Sequence, residues 1–166
     1  MIVARLYKLF RPSDLKPTKL CQEIIDAGGF KEYFKKKYGV EDQHCTLSTI
    51  MQDELIKRFS EQPGLYAWYV NKLKPDFCLS VDGWTYDKEY EESIEEILRT
   101  FNETKKLMQA CPNMRFLGVV KGCTPEMIDF HSSLLQSLGI YNMVIHAGDY
   151  RRNGVKDQML KAKSYA

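Results

Sequence analysis

Apolar and polar positions along this chain follow two rhythms, and the rhythm changes at glycine or proline. "IVARLYKLF" reads as a first strand, ended by "RPSDLKP" with its two prolines. "QEIIDAGG" reads as a short second strand closed by glycine, and "FKEYFKKKYG" as a helix stopped by Gly39. "STIMQDELIKRFSEQPG" predicts a segment capped at Ser48 or Thr49 and ended at Pro63-Gly64. "LYAWYVNKLKP" fits either strand or helix.

The pattern is plainer in the second half. "DFCLSVDGW" is a compact apolar strand ending in Asp82-Gly83. Residues 87–109 carry Ile94, Ile97, Leu98, Phe101 and Met108 as one stripe of a long helix. "RFLGVVKG" is another compact strand, ending in Lys121-Gly122. Thr124 caps the next helix, with Pro125 at its first position, Ile128, Leu134, Leu135 and Leu138 on its apolar side and Gly139 at its end. "YNMVIHAGDY" is a further strand leading into glycine. Alternating strands and helices with continuously apolar strands predict β/α units around a parallel sheet.

Composition narrows the class. At 166 residues, 44% hydrophobic and 12% aromatic, the chain has the makings of one globular domain, residues 1–166, rather than a disordered segment. No run approaches the ~20 apolar residues of a membrane span. Arg5 and Lys8 interrupt the first apolar stretch, against a secretory signal, so a cytoplasmic protein is expected. Five cysteines (Cys21, Cys45, Cys78, Cys111 and Cys123) form no C-x-x-C pair, which argues for buried thiols over disulfides or structural zinc. No metal and no cofactor is expected.

A net charge of +2 does not by itself imply nucleic acid, but the charges are segregated. Acids crowd residues 87–96, whereas "FKEYFKKKYG" and "YRRNGVKDQMLKAK" are basic. Lys35, Lys36, Lys37, Arg151 and Arg152 are therefore candidate phosphate contacts, with solvated helix faces as the plainer reading. His131 falls on a helix and is expected to be structural. His44 and Cys45 are adjacent, and neighbours in sequence rarely orient one another as a nucleophilic dyad.

The predicted strand ends carry the candidate chemistry. Asp26, Asp82, Lys121, and then His146 and Asp149 each stand near glycine, where β/α folds present their ligand-facing rim. "EIIDAGGFKEYF" can be a simple corner. It can also be a grip, with a carboxylate, glycines that admit a ligand and an aromatic ring to stack on it.

The motif order resembles that of the tRNA-guanine transglycosylases, the family of queuosine and archaeosine formation, which exchange guanine for a 7-deazaguanine base. "DAGGF" at 26–30 resembles the family's D-S-G-G-[FY]-Q, and "CLSVDGW" at 78–84 resembles the strand whose aspartate holds the incoming base. "LGVVKG" at 117–122 resembles G-[IV]-V-Q-G, and "LGIYNMVIHAG" at 138–148 resembles a later strand ending in small residues. The likeness is strongest over residues 18–152.

The resemblance implies an incomplete or minimal TIM-like (β/α) barrel with parallel strands, since a full barrel needs about 250 residues. It implies that Asp26 lies under the base and takes part in proton transfer or binding. Phe30 would stack on the base, Asp82 would accept from its N–H edge, and Lys121 and Gly122 would stand where the family recognises the ring. The backbone around Ala147 and Gly148 would close the pocket, and His146, at a strand end, is a further candidate substrate contact. The implied partners are guanine or a 7-deazaguanine base, tRNA or DNA, and a homodimer or complementing subunit supplying the missing strands; no membrane is implied.

Departures from the pattern open alternatives. Ala27 stands for a serine, and Lys121 for a glutamine. The lysine either contacts a ring carbonyl or pairs with Asp82 and neutralises the pocket. The family's later nucleophilic aspartate and its cysteine/histidine zinc site have no counterpart, leaving Asp149 or Asp26 as substitute nucleophile. Three functions follow: a transglycosylase, a non-catalytic binding partner that lacks the nucleophile, or another small β/α enzyme using Lys121 as a reactive amine.

Overall fold

The computed structural model describes residues 1–11, 13–41, 43–49, 53–85, 88–146, 160, 164 and 165. They form a mixed α/β chain with a five-stranded parallel sheet that does not close into a ring. The chain divides into two compact units, Met1–Leu79 with Lys106–Arg115, and Ser80–Lys105 with Phe116–Ala166.

Unit 1 opens with β1 (Ile2–Arg5), which gives way at once to α1 (Leu6–Leu9), a single turn that buries Leu6 and Leu9. The long first strand expected from "IVARLYKLF" is thus cut to four residues. A small antiparallel ribbon follows, β2 (Phe10–Arg11) with β3 (Lys16–Pro17).

The expected second strand is a helix, α2 (Lys19–Asp26). Thr18 caps it by accepting the Cys21 N–H at 3.3 Å, and Cys21 and Ile24, one turn apart, are its buried side. "DAGG" is therefore a corner between two helices. Gly28 and Gly29 take φ of 98° and 121°, and a Cβ on Gly29 would sit 3.0 Å from the Leu73 carbonyl oxygen. The predicted helix α3 (Phe30–Tyr38) follows and ends at Gly39, which is left-handed with φ 63°.

β4 (Cys45–Ser48) is a wholly buried strand where a helix cap had been expected, and α4 (Asp53–Glu61) begins only later. Its alternation of apolar and hydroxyl residues conceals the strand, because it carries no continuous apolar run. Thr49, just beyond it, donates to the Leu79 carbonyl at 2.7 Å. The ambiguous "LYAWYVNKLKP" is helical as far as Leu73, in α5 (Pro63–Leu73), which starts on proline and buries Tyr66, Tyr69, Val70 and Leu73. β4 pairs in parallel with β1 and with β5 (Phe77–Leu79).

The unit's core is aromatic. Phe10 meets Tyr69 and Phe59 edge-on at 4.5 and 5.5 Å, and Phe59 meets Tyr66 at 5.4 Å. Asp76, just before β5, ties this unit together. Its N–H donates to the Cys45 carbonyl at 2.7 Å, while its carboxylate accepts the Cys45 N–H at 2.8 Å and meets the Lys31 ammonium at 2.9 Å.

Unit 2 contains most of the long helix α6 (Tyr90–Ala110), then β6 (Phe116–Val119), α7 (Pro125–Ser137) and the short β7 (Met143–Val144). Thr124 caps α7 as expected, accepting the Met127 N–H at 3.3 Å. β6 and β7 are parallel, with Gly118 opposite Met143. Gly118 has no room for a side chain, since a Cβ there would lie 2.5 Å from the Met143 sulfur and 3.0 Å from Leu135. Among the described residues no helix is long and apolar enough to cross a membrane.

Burial raises the Asp76 pKa, but the Cys45 N–H and the Lys31 and His44 charges outweigh it and hold the carboxyl below its ordinary value. A depressed carboxyl stabilises the fold above the unfolded-state pKa, and that contribution is lost as the pH falls through the folded one. Asp76→Ala should therefore lower stability by about 1–3 kcal/mol at neutral pH. In urea titrations across a pH series, its deficit should narrow in acid.

Candidate functional site

In unit 2, the segments leading to Asp82 and to Lys121 are held by both backbone and side-chain hydrogen bonds. Ser80 donates its N–H to the Leu117 carbonyl at 2.8 Å, and its hydroxyl oxygen accepts the Val119 N–H at 2.8 Å. The Val81 N–H is taken by the Thr104 hydroxyl at 2.9 Å, and the Val120 N–H by the Val144 carbonyl at 3.1 Å. Each backbone is thereby fixed up to the residue before its charged group, Asp82 in one case and Lys121 in the other.

Those two groups meet. The Lys121 Nζ lies 3.1 Å from Asp82 Oδ1, with only 2% and 8% of the two side chains exposed. A buried lysine or aspartate alone would be a heavy penalty; together they form an ion pair whose desolvation is offset by proximity. Pairing with Asp82 is one of the two roles open to Lys121.

Below the pair lies a histidine. The Lys121 N–H points at His131 Nδ1 at 3.1 Å, so a neutral ring accepting at Nδ1 and carrying its proton on Nε2 satisfies this bond. Burial, aided by the Lys121 ammonium and opposed by the nearby Lys121 carbonyl, pushes the imidazole pKa down from 6.5 to about 4. The expected structural role of His131 is what the geometry describes, and its particular task is to hold the Lys121 backbone. Gly122 follows because a Cβ there would lie 2.8 Å from the Ile128 N and 2.8 Å from its Cγ1. Its role is close packing on the first turn of α7.

Gly83 and Trp84 turn the chain away from Asp82. The Trp84 N–H donates to Glu96 at 3.3 Å, and Glu96 is gripped by Arg99 through two contacts of 2.9 and 2.8 Å. Burial raises the Glu96 pKa, but the Arg99 and Lys88 charges bring it below the ordinary value. Within the acidic run, Glu96 is thus internal scaffolding, whereas Glu89, Glu91, Glu92 and Glu95 are exposed.

The remaining candidates are distributed as follows. Asp26 ends α2 rather than a strand; it is exposed and accepts from Gln22 at 2.7 Å. Phe30 is fully buried, so its ring is core and offers no face for stacking. Lys35 pairs with Glu41 at 2.9 Å and Lys37 with Glu23 at 3.3 Å, and all three lysines of this run sit in the last turn of α3, where cations favour the helix dipole. His146 is exposed. Ala147, Gly148, Asp149, Arg151 and Arg152 lie outside the described residues.

Four cysteines are buried, Cys123 is half-buried, and among the described residues none forms a disulfide. Among the described residues no three His, Cys, Asp or Glu side chains gather as a metal site requires. The molecule so defined is a mixed α/β protein with a buried acid–ammonium pair just beyond two strand ends. Neither protein-family models nor curated proteins match the chain.

Two stability effects follow. Lys121→Met should lower stability by about 3–5 kcal/mol by stranding the Asp82 charge, while the neutral pair Asp82→Asn with Lys121→Gln should recover most of that loss in urea unfolding. A depressed His131 pKa means that the unfolded chain takes up its proton first. Stability should therefore fall as the pH drops from 6.5 towards about 4, and this loss should disappear in His131→Gln.

Proposed function

We propose that this chain is a transglycosylase-like protein that binds guanine or a 7-deazaguanine base belonging to tRNA or DNA, with Asp82 and Lys121 as the reading pair. One observation carries the reading: a carboxylate, which only accepts hydrogen bonds, stands 3.1 Å from an ammonium, which only donates. Guanine offers the complement, ring and amino N–H donors beside a carbonyl oxygen. The two charges satisfy each other in the free protein, and an entering base replaces their mutual contact with its own. An adenine-type edge places its amino donor where guanine has the carbonyl and meets the ammonium with the wrong polarity.

The parallel sheet supports an incomplete TIM-like barrel, which the strands of a second copy or of a complementing subunit would extend. A cytoplasmic setting agrees with thiols that form no disulfide among the described residues. Base exchange further requires a carboxylate to attack the sugar C1′ while a second group moves the proton. The exposed position of Asp26 at a helix end favours the non-catalytic reading, a base-binding partner without the family's nucleophile. A lysine engaged with a carboxylate at 3.1 Å presents no free amine, which disfavours imine chemistry at Lys121.

Calorimetric titration with guanine and 7-deazaguanine bases should give binding that the folded Asp82→Asn, Lys121→Gln double variant loses. Unchanged affinity in that variant would remove the pair from recognition. Incorporation of labelled base into tRNA or DNA separates exchange from binding. Incorporation abolished by Asp26→Asn would establish exchange through that carboxylate.

A further inference from the structure

The aromatic residues of α3 are spaced for a purpose that its core packing does not exhaust. Phe30, Phe34 and Tyr38 recur every fourth residue and so stand one above another on a single helix face. Their rings form a ladder. Phe30 and Phe34 lie 6.4 Å apart at an interplanar angle of 19°, and Phe34 and Tyr38 lie 5.8 Å apart at 29°. The ladder climbs out of the protein, from Phe30 at 0% exposure to Tyr38 at 59%. Its last rung is therefore largely exposed, with two stacked rings behind it and the Lys37 ammonium 5.9 Å from its centroid.

A groove runs beside this ladder. It is lined by Tyr33, Phe34 and Tyr38 of α3, by Ile24 of α2, and by Arg5 and Lys8 at the end of β1 and in α1; no carboxylate lines it among the described residues. Arg5 and Lys8 are exposed. The Arg5 guanidinium is held in place, donating to the Tyr7 hydroxyl at 3.0 Å. These are different residues from the lysines first suspected of meeting phosphate, two of which are matched by Glu41 and Glu23.

We propose that this groove of unit 1 holds single-stranded nucleic acid, one base stacking on Tyr38 as the next rung of the ladder and the flanking phosphates meeting Arg5 and Lys8. Cations without carboxylates select a polyanion, and an exposed ring with stacked rings behind it selects one that carries flat rings. An acidic peptide or an anionic lipid supplies the first property without the second. In a duplex, each base face is already covered by its neighbour, so the strand must be single.

The test is fluorescence anisotropy with a short labelled oligothymidylate. Tyr38→Leu should weaken binding about five- to a hundredfold, while Tyr38→Phe retains it. Arg5→Gln and Lys8→Gln should each reduce the salt dependence by about 0.7 in the log–log slope. Tyr38 is exposed, so the variants should keep the parental circular dichroism. Binding unaffected by Tyr38→Leu, or lost equally in Tyr38→Phe, would overturn the proposal, as would no binding at all. Equal competition by duplex or by polyglutamate would also overturn it, the latter in favour of an acidic protein partner. Free guanine binding should be unchanged in Tyr38→Leu, which keeps this groove separable from the Asp82–Lys121 site.

Discussion

Two opposite charges buried against each other constrain unit 2, because each is tolerable only while the other is present. The Asp82 carboxylate and Lys121 ammonium can meet at 3.1 Å only if both backbones arrive in register. Hydroxyl side chains enforce that register beyond the strands themselves, Ser80 bonding across to Val119 and Thr104 to Val81. His131 then fixes the Lys121 backbone, and Gly122 lets the chain press against α7. Polar side chains thus form a connected frame whose members are satisfied by one another.

Unit 1 is organised differently. Its centre is a set of edge-on aromatic rings around Phe59, which gain from area and geometry without needing a unique polar partner. Polar specificity is concentrated at Asp76, whose carboxylate and N–H both engage Cys45. The glycine corner at Gly28 and Gly29 sends α2 into α3, and α3 in turn carries its rings outward to Tyr38. One element therefore serves the core at its start and presents an aromatic surface at its end.

The two proposed sites would serve two complementary kinds of recognition. A paired donor and acceptor in a buried setting suits the edge of one base. An exposed ring bordered by cations suits a base face and the backbone that carries it. Hydrogen-bond edges demand a fixed geometry, and stacking with phosphate contact tolerates variation. A protein that reads a base within a polymer benefits from both.

Legibility in the sequence followed the range of the interactions. The strands at "DFCLSVDGW" and "RFLGVVKG", the long helix after residue 87 and the Thr124 cap were all visible, because burial periodicity and capping depend on near neighbours. "QEIIDAGG" misled, since three apolar residues before two glycines suit a strand end or a helix end, and the choice turned on the Thr18 cap and on packing of Cys21 and Ile24. β4 went unseen because its buried hydroxyl residues carry no apolar run. Asp82 and Lys121 could be nominated from their position near glycine, but His131 gave no signal beyond its place on a helix. By itself, the order of residues determined the alternation of parallel strands and helices and a shortlist of charged groups near strand ends. Tertiary structure alone decided that Lys121 faces Asp82, that Phe30 is core and that Tyr38 is surface, because those outcomes depend on contacts between segments distant in the chain, which no local pattern encodes.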